Sequence, residues 1–237
     1  MNSPAIAVFC LLLLSGVTLT AVTTTINPSE DTFIAGGSAA TTVFGLANDL
    51  TVNFSGDDFL ARKIYLSFDL TGLQQPFTDA ALTLTVKGLP SSGTIQLNYY
   101  GLDDGAPGQG WSDSTLNWDN APGNISELPG FDIEFFSLLG IKTISNPALN
   151  QKIALTNPES ISTDALIQFL NADTDDQVTF GIYATSGSSI SLTFNSIEKG
   201  TGIPELSLDE TIIPEPGWSA LLLAAGALIL TFRKRGF

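Results

Sequence analysis

The chain has 237 residues and a formal net charge of −15, from 24 acidic and 9 basic residues. That length suits one domain with appendages, and the charge argues against nucleic acid as a partner, because a phosphate backbone would be repelled. Histidine is absent and the single cysteine is Cys10, which removes His-dependent triads, His-ligated zinc, disulfides and a cysteine nucleophile from the body of the chain.

An apolar stretch runs from about Ala5 to Leu19 and is followed by small residues ending near Ala21. It is too short for a comfortable membrane span and reads as a secretory signal peptide over 1–21, with a buried N-terminal strand as the competing reading. Residues 22–29 are expected to be a linker. Residues 30–210 form one compositional block with recurring strand signals. Ile64, Leu66, Phe68 and Leu70 alternate with Lys63, Tyr65, Ser67 and Asp69; Leu82, Leu84 and Val86 repeat the pattern, as do Ile95, Leu97 and Tyr99. Val178, Phe180 and Ile182, then Ile190, Leu192 and Phe194, then Leu206 and Leu208 continue it. Period-two alternation predicts one buried and one wet face per strand. Turn chemistry at Gly88-Leu89-Pro90, Ser92-Gly93 and Ser186-Gly187 separates the runs. Only Thr163–Asn171 reads as helix, with Ala165, Leu166, Phe169 and Leu170 on one face and Ser162 or Thr163 as a cap. Gly101–Gly130 reads as a long irregular loop, the kind of segment that tends to carry function. The expected fold is all-β, a jelly-roll-type antiparallel β-sandwich.

The C-terminal end carries Ile213-Pro214-Glu215-Pro216, an apolar run over 217–232, and then Arg233-Lys234-Arg235. Sixteen helical residues would span roughly 24 Å, slightly less than a bilayer core. The basic cluster would stay cytoplasmic, leaving the acidic bulk outside, and Trp218 reads as an interfacial anchor. This order resembles the PEP-CTERM sorting signal of exported bacterial proteins over residues 213–237. The resemblance implies recognition by an exosortase-type processing enzyme and cleavage near Pro214-Glu215-Pro216. Its location would then be the cell surface or extracellular matrix, after transient anchoring through a hydrophobic C-terminal helix.

The body carries a second set of motifs. Asp31-Thr32-Phe33-Ile34 opens it, and Arg62-Lys63-Ile64-Tyr65-Leu66-Ser67-Phe68-Asp69-Leu70 follows. Trp111-Ser112-Asp113-Ser114-Thr115-Leu116-Asn117-Trp118-Asp119-Asn120-Ala121-Pro122 comes next, and Phe194-Asn195-Ser196-Ile197-Glu198 with Pro204-Glu205-Leu206 closes it. This order resembles the DNRLRE/disaggregatase-related domains, which include carbohydrate-binding module family 96. The resemblance implies a jelly-roll sandwich on secreted or surface proteins, some of which bind polysaccharide. Ser67 and Ile197 stand where the family commonly has arginine, and Asn117 where it usually has threonine.

Sugar binding needs an aromatic face for the CH side of a pyranose and planar polar groups for its hydroxyls. Trp111, Tyr99, Tyr100 and Trp118 are the aromatic candidates, with Asp103, Asp104, Asp113 and Asn120 near them. Trp118, set in Asn-Ala-Pro turn chemistry, reads rather as a plug under a loop. Arg62 and Lys63 are adjacent on a strand and point to opposite faces, so one of them is positioned to pair with a ligand carboxylate; a salt bridge or a solvated charge is the competing reading. Calcium is the expected cofactor, because hard oxygen ligands abound and soft ones are missing. Glu30-Asp31, Asp57-Asp58, Asp103-Asp104 and Asp173-Thr174-Asp175-Asp176 are the acidic candidates, and none matches an EF-hand. A structural calcium near the first strand of such a module favours Asp31. No nucleophile motif appears, so the chain reads as a non-catalytic surface or matrix protein, adhesive or structural, with glycan as the candidate ligand of its sandwich. A polysaccharide-degrading hydrolase or lyase, built on two carboxylates, is the alternative.

Overall fold

The computed structural model describes residues 20–54, 60–88, 93–125, 130–156, 164–186 and 191–212. Residues 1–19 of the expected signal peptide (1–21) and the expected sorting segment over 213–237, with Pro214, Glu215, Pro216, Arg233, Lys234 and Arg235, lie outside these residues; Thr20 and Ala21 begin a strand. By contacts the chain divides into a β-rich unit, Val22–Thr211, and a second unit, Met1–Ala21 with Ile212–Phe237. Among the described residues no helix is long and apolar enough to cross a membrane.

Eleven strands are present among the described residues: β1 Thr20–Ile26, β2 Glu30–Ala35, β3 Asp49–Asn53, β4 Arg62–Asp69, β5 Phe77–Gly88, β6 Thr94–Leu102, β7 Phe136–Ser145, β8 Lys152–Thr156, β9 Gln177–Ser186, β10 Ser191–Asn195 and β11 Glu205–Ile212. One helix, α1, spans Ala165–Ala172. The strands follow the order β1-β11-β5-β10-β3-β4-β9-β6-β7, with β2 added on β4 and β8 on β5. The registers of β2–β4, β4–β9, β6–β9, β6–β7, β3–β10, β5–β8 and β5–β11 are antiparallel. The apolar series read from the sequence converge on one core: Ile64, Leu66 and Phe68 of β4, Leu82, Leu84 and Val86 of β5, Val178, Phe180 and Ile182 of β9, and Leu206 and Leu208 of β11. β4 and β5 are separated by β10 and β3 along the sheet, yet share this core, so the sheet curls to face itself. Each fully buried aliphatic side chain here contributes about 1.5–3 kcal/mol of transfer free energy.

Four differences from the sequence reading have physical causes. Residues 22–26, expected within a linker, lie in β1. That strand is Thr-rich and carries little amphipathic signal; Thr23, Thr24 and Thr25 tie it to Asp209, Glu210 and Ser207 of β11 at 2.5, 2.6 and 3.0 Å. Strand β7 escapes the alternation because it bulges: Gly140 pairs with Tyr99 and Leu138 with Tyr100, which leaves Leu139 as an extra residue and puts the buried positions at Phe136, Leu139, Gly140 and Ile144. The helix begins at Ala165 after Asp164, while the expected caps Ser162 and Thr163 fall outside the described residues.

The fourth difference matters most for function. Strand β4 does not have one wet face: Lys63, Tyr65 and Ser67 are as buried as Ile64, Leu66 and Phe68. The segment between β6 and β7 folds over that face and forms a second core of Tyr65, Trp111, Trp118, Phe131, Phe136 and Tyr183. Gly181 of β9 makes room for it, since a Cβ there would lie 2.7 Å from the Phe131 ring. The predicted long loop is thus an internal layer rather than a free surface segment.

Candidate functional site

The antiparallel registers bring three strand ends together. Glu30 at the start of β2 lies opposite Ser67, and Asp69 at the end of β4 lies opposite Gln177 at the start of β9. The covering layer contributes Gly110 and Trp111. Together with Ser29, Thr71, Asp175 and Asp176, these residues line an open cleft of about 470 Å³. Its walls are polar, with four carboxylates, one carboxamide and two hydroxyls; no basic side chain lines it. Asp69 is held below the usual carboxylate range by the Thr71 hydroxyl and the Thr71 N–H, the latter donating to Oδ1 at 2.8 Å. Glu30 is pushed upward, chiefly by burial, although the Asp113 N–H donates to its Oε2 at 2.8 Å.

The expected glycan-contacting residues occupy separate places. Trp111 reaches the cleft but is only 8% exposed. Its indole N–H donates to Thr179 Oγ1 at 3.1 Å, and its ring meets Tyr65 edge-on at 6.0 Å. It therefore offers the cleft a narrow apolar strip, not a stacking face. Tyr99 is fully buried in the main core, so its ring presents no face to a sugar. Tyr100 is half-buried, edge-on to Phe131 at 5.2 Å. Trp118 is buried, in keeping with the turn chemistry around it. Arg62 is exposed at the far end of β4, its guanidinium 5.9 Å from the Phe33 ring. Seven strand steps of ~3.3 Å put it roughly 23 Å from Asp69, outside the cleft.

Lys63 points the other way and is internal. Its ammonium donates to Asn124 Oδ1 at 2.7 Å and to the Gly130 carbonyl, and it sits 4.7 Å from the Trp118 ring centre, 5.3 Å from that of Phe131 and 5.7 Å from that of Tyr183. The cation holds the covering layer to the sheet and faces no ligand site.

Of the acidic candidates, Asp57 and Asp58 fall outside the described residues. Asp103 accepts from Ser137, and Asn120 closes a local turn with Asn117 and Thr115. Asp31 is 1% exposed; its Oδ2 accepts the Ile197 N–H at 2.8 Å and its Oδ1 has no partner. Burial raises its pKa to about 7, and the nearby charges of Glu198 and Asp113 add to the shift. Glu198 Oε2 is likewise buried without a partner. Two orphaned carboxylate oxygens suit either a shared proton or a bound cation. A denser group lies elsewhere: Asp104, Asp173 and Asp175, whose carboxylate oxygens fall within 4.8 Å of one another.

Composition alone does not reveal Asp69, Thr71, Gln177 or Ser29. They are ordinary strand-end residues, brought together only by the pairing of β2, β4 and β9.

Residues 22–133 match the model of carbohydrate-binding module family 96, which supports a carbohydrate-binding module in this part of the chain. Among solved structures, the xylan-binding module CBM15 is 14% identical, with 80% of this chain and 97% of that chain covered at a TM-score of 0.40. The C-terminal family 22 carbohydrate-binding module of Clostridium thermocellum Xyn10B is 9% identical, with 80% and 84% covered at a TM-score of 0.32. No curated protein matches the chain.

Proposed function

We propose that the β-sheet unit is a non-catalytic glycan-binding module whose site is the cleft at Trp111. One observation carries this reading: the segment that matches the carbohydrate-binding family supplies Ser29, Glu30, Asp69, Thr71, Gly110 and Trp111, most of the cleft wall. Carboxylates and the Gln177 amide accept and donate to sugar hydroxyls, and the Trp111 edge takes an apolar CH patch. With several carboxylates and no cation in the wall, the ligand is a neutral, hydroxyl-rich chain; a uronate would need a bridging cation. The sequence order Pro214-Glu215-Pro216, apolar run and Arg233-Lys234-Arg235 supports delivery of this module to the cell surface or matrix through exosortase-type processing.

The test is retention of the full chain on immobilised neutral and acidic polysaccharides. Wild type is expected to be held by a neutral polysaccharide, and Asp69→Ala and Gln177→Ala to bind at least about tenfold more weakly, the effect of losing about 1.4 kcal/mol. No retention on any polysaccharide, or unchanged retention of both variants, refutes the site. One observation favours the hydrolytic alternative: Glu30 and Asp69 share the cleft with their acidities pushed apart. Release of reducing ends by wild type, lost in Glu30→Gln, would replace binding by hydrolysis.

A further inference from the structure

Two segments distant in sequence meet beside the cleft. Asp104 follows β6, Asp173 ends α1, and Asp175 lies in the turn into β9. Their carboxylate oxygens fall within 4.8 Å of one another. Asp173 is 6% exposed, and neither of its carboxylate oxygens has a hydrogen-bond partner. The Asp176 backbone N–H eases the charge on Asp173 without completing a hydrogen bond to it. Burial, followed by the charges of Asp104 and Asp175, raises the Asp173 pKa to about 6. The Lys87–Asp49 and Lys152–Glu205 ion pairs involve none of the three.

A buried carboxylate with both oxygens orphaned, aimed at two further carboxylates, is costly unless something compensates it. We propose that Asp104, Asp173 and Asp175 form a calcium site that fastens the segment after β6 to the turn between α1 and β9. The donor set decides the ion: three carboxylates converging from two segments suit calcium, which takes roughly six to eight oxygens in a flexible geometry, better than magnesium, which keeps several waters and is usually held by one or two carboxylates. Zinc is disfavoured because the donors are all carboxylates and the chain has no histidine. The remaining oxygens are already oriented for the task. Asp104 Oδ2 accepts from the Thr174 N–H and hydroxyl, both at 2.8 Å, and Asp175 Oδ2 accepts from Gln109 at 2.9 Å. Both of these carboxylates are therefore fixed in direction by the segments the ion would fasten. Asp175 also lines the cleft, so the ion would set the position of one cleft wall.

Titration calorimetry on the full chain in mild detergent, stripped with EGTA, tests this with CaCl₂ as the probe. Wild type is expected to take up calcium, and Asp173→Asn to lose one equivalent per chain while keeping the wild-type circular dichroism spectrum. Asp104→Asn alters an exposed carboxylate and should lose the same equivalent, which covers the case in which Asp173→Asn fails to fold. Magnesium is expected to bind at least about tenfold more weakly. Asp31→Asn should leave this equivalent intact. The site is refuted by no calcium uptake in wild type, by unchanged uptake in both Asp104→Asn and Asp173→Asn, or by loss of the equivalent in Asp31→Asn alone. No glycan enters the measurement, so its failure is separable from failure of the glycan reading.

Discussion

Replacing Asp31 by asparagine should stabilise the protein, and more so at alkaline pH. Asp31 is almost fully buried, and burial raises its pKa from an ordinary 3.8 to about 7. The folded chain thus holds this proton more tightly than the unfolded chain. Stability contributed by the protonated group is complete below about pH 4 and is lost as pH rises through about 7. At ~1.36 kcal/mol per pKa unit, the accumulated penalty is about 4 kcal/mol at pH 8 and about 1.7 kcal/mol at pH 5. The asparagine side chain is neutral at both values. Its carbonyl oxygen can accept the Ile197 N–H, and its amide can donate to the buried Glu198 oxygen that lacks a partner.

The expected result is that Asp31→Asn exceeds wild type by about 4 kcal/mol at pH 8 and by about 2.5 kcal/mol less at pH 5. Urea unfolding at both pH values, in EGTA, measures this. At ~2–4 °C per kcal/mol for a domain of this size, the melting temperature at pH 8 should rise by roughly 8–16 °C. An equal difference at the two pH values refutes the titration argument. Repeating the scan with CaCl₂ separates the two uses of the orphaned oxygens. If Asp31 holds calcium, as the sequence suggests, the ion stabilises wild type and not Asp31→Asn, and the order of stability reverses.

Two further substitutions probe the covering layer. Lys63→Met keeps the apolar stem but leaves Asn124 Oδ1 and the Gly130 carbonyl without their donor, and should cost about 2–3 kcal/mol in urea unfolding; an unchanged midpoint would show that the ammonium does not hold the layer down. Gly181→Ala puts a methyl group 2.7 Å from Phe131 and 3.0 Å from Phe136, and should cost about 1–3 kcal/mol by overpacking, with near-ultraviolet circular dichroism reporting the displaced rings; a neutral result would mean that the layer sits loosely on β9.

The strands legible in the sequence are those whose apolar residues face the shared core at regular spacing. Ile64, Leu66 and Phe68, or Val178, Phe180 and Ile182, need no tertiary information. Strand β7 does, because its own bulge at Leu139 breaks the period. The second face of β4 does too. Tyr65 and Lys63 look like the polar half of an amphipathic strand until the Pro122 carbonyl accepts the Tyr65 hydroxyl at 2.9 Å and Trp118 and Phe131 close over the lysine.

The same layer explains why residue type is a poor guide to the site. Trp111, Tyr99 and Trp118 stand out in the sequence because large aromatics are scarce and conspicuous, but a layer laid on an antiparallel sheet needs apolar mass to stay there, and two of these rings supply it. What remains accessible beside Trp111 is the polar fringe of three strand ends, where side chains have no neighbour layer to bury them. The registers place the cleft carboxylates, Glu30 opposite Ser67 and Asp69 opposite Gln177, and the Asp113 and Thr71 N–H groups orient their oxygens. Under the glycan reading proposed above, groups preorganised in this way lose little conformational freedom on binding, so a stiff glycan chain would be favoured over a flexible peptide.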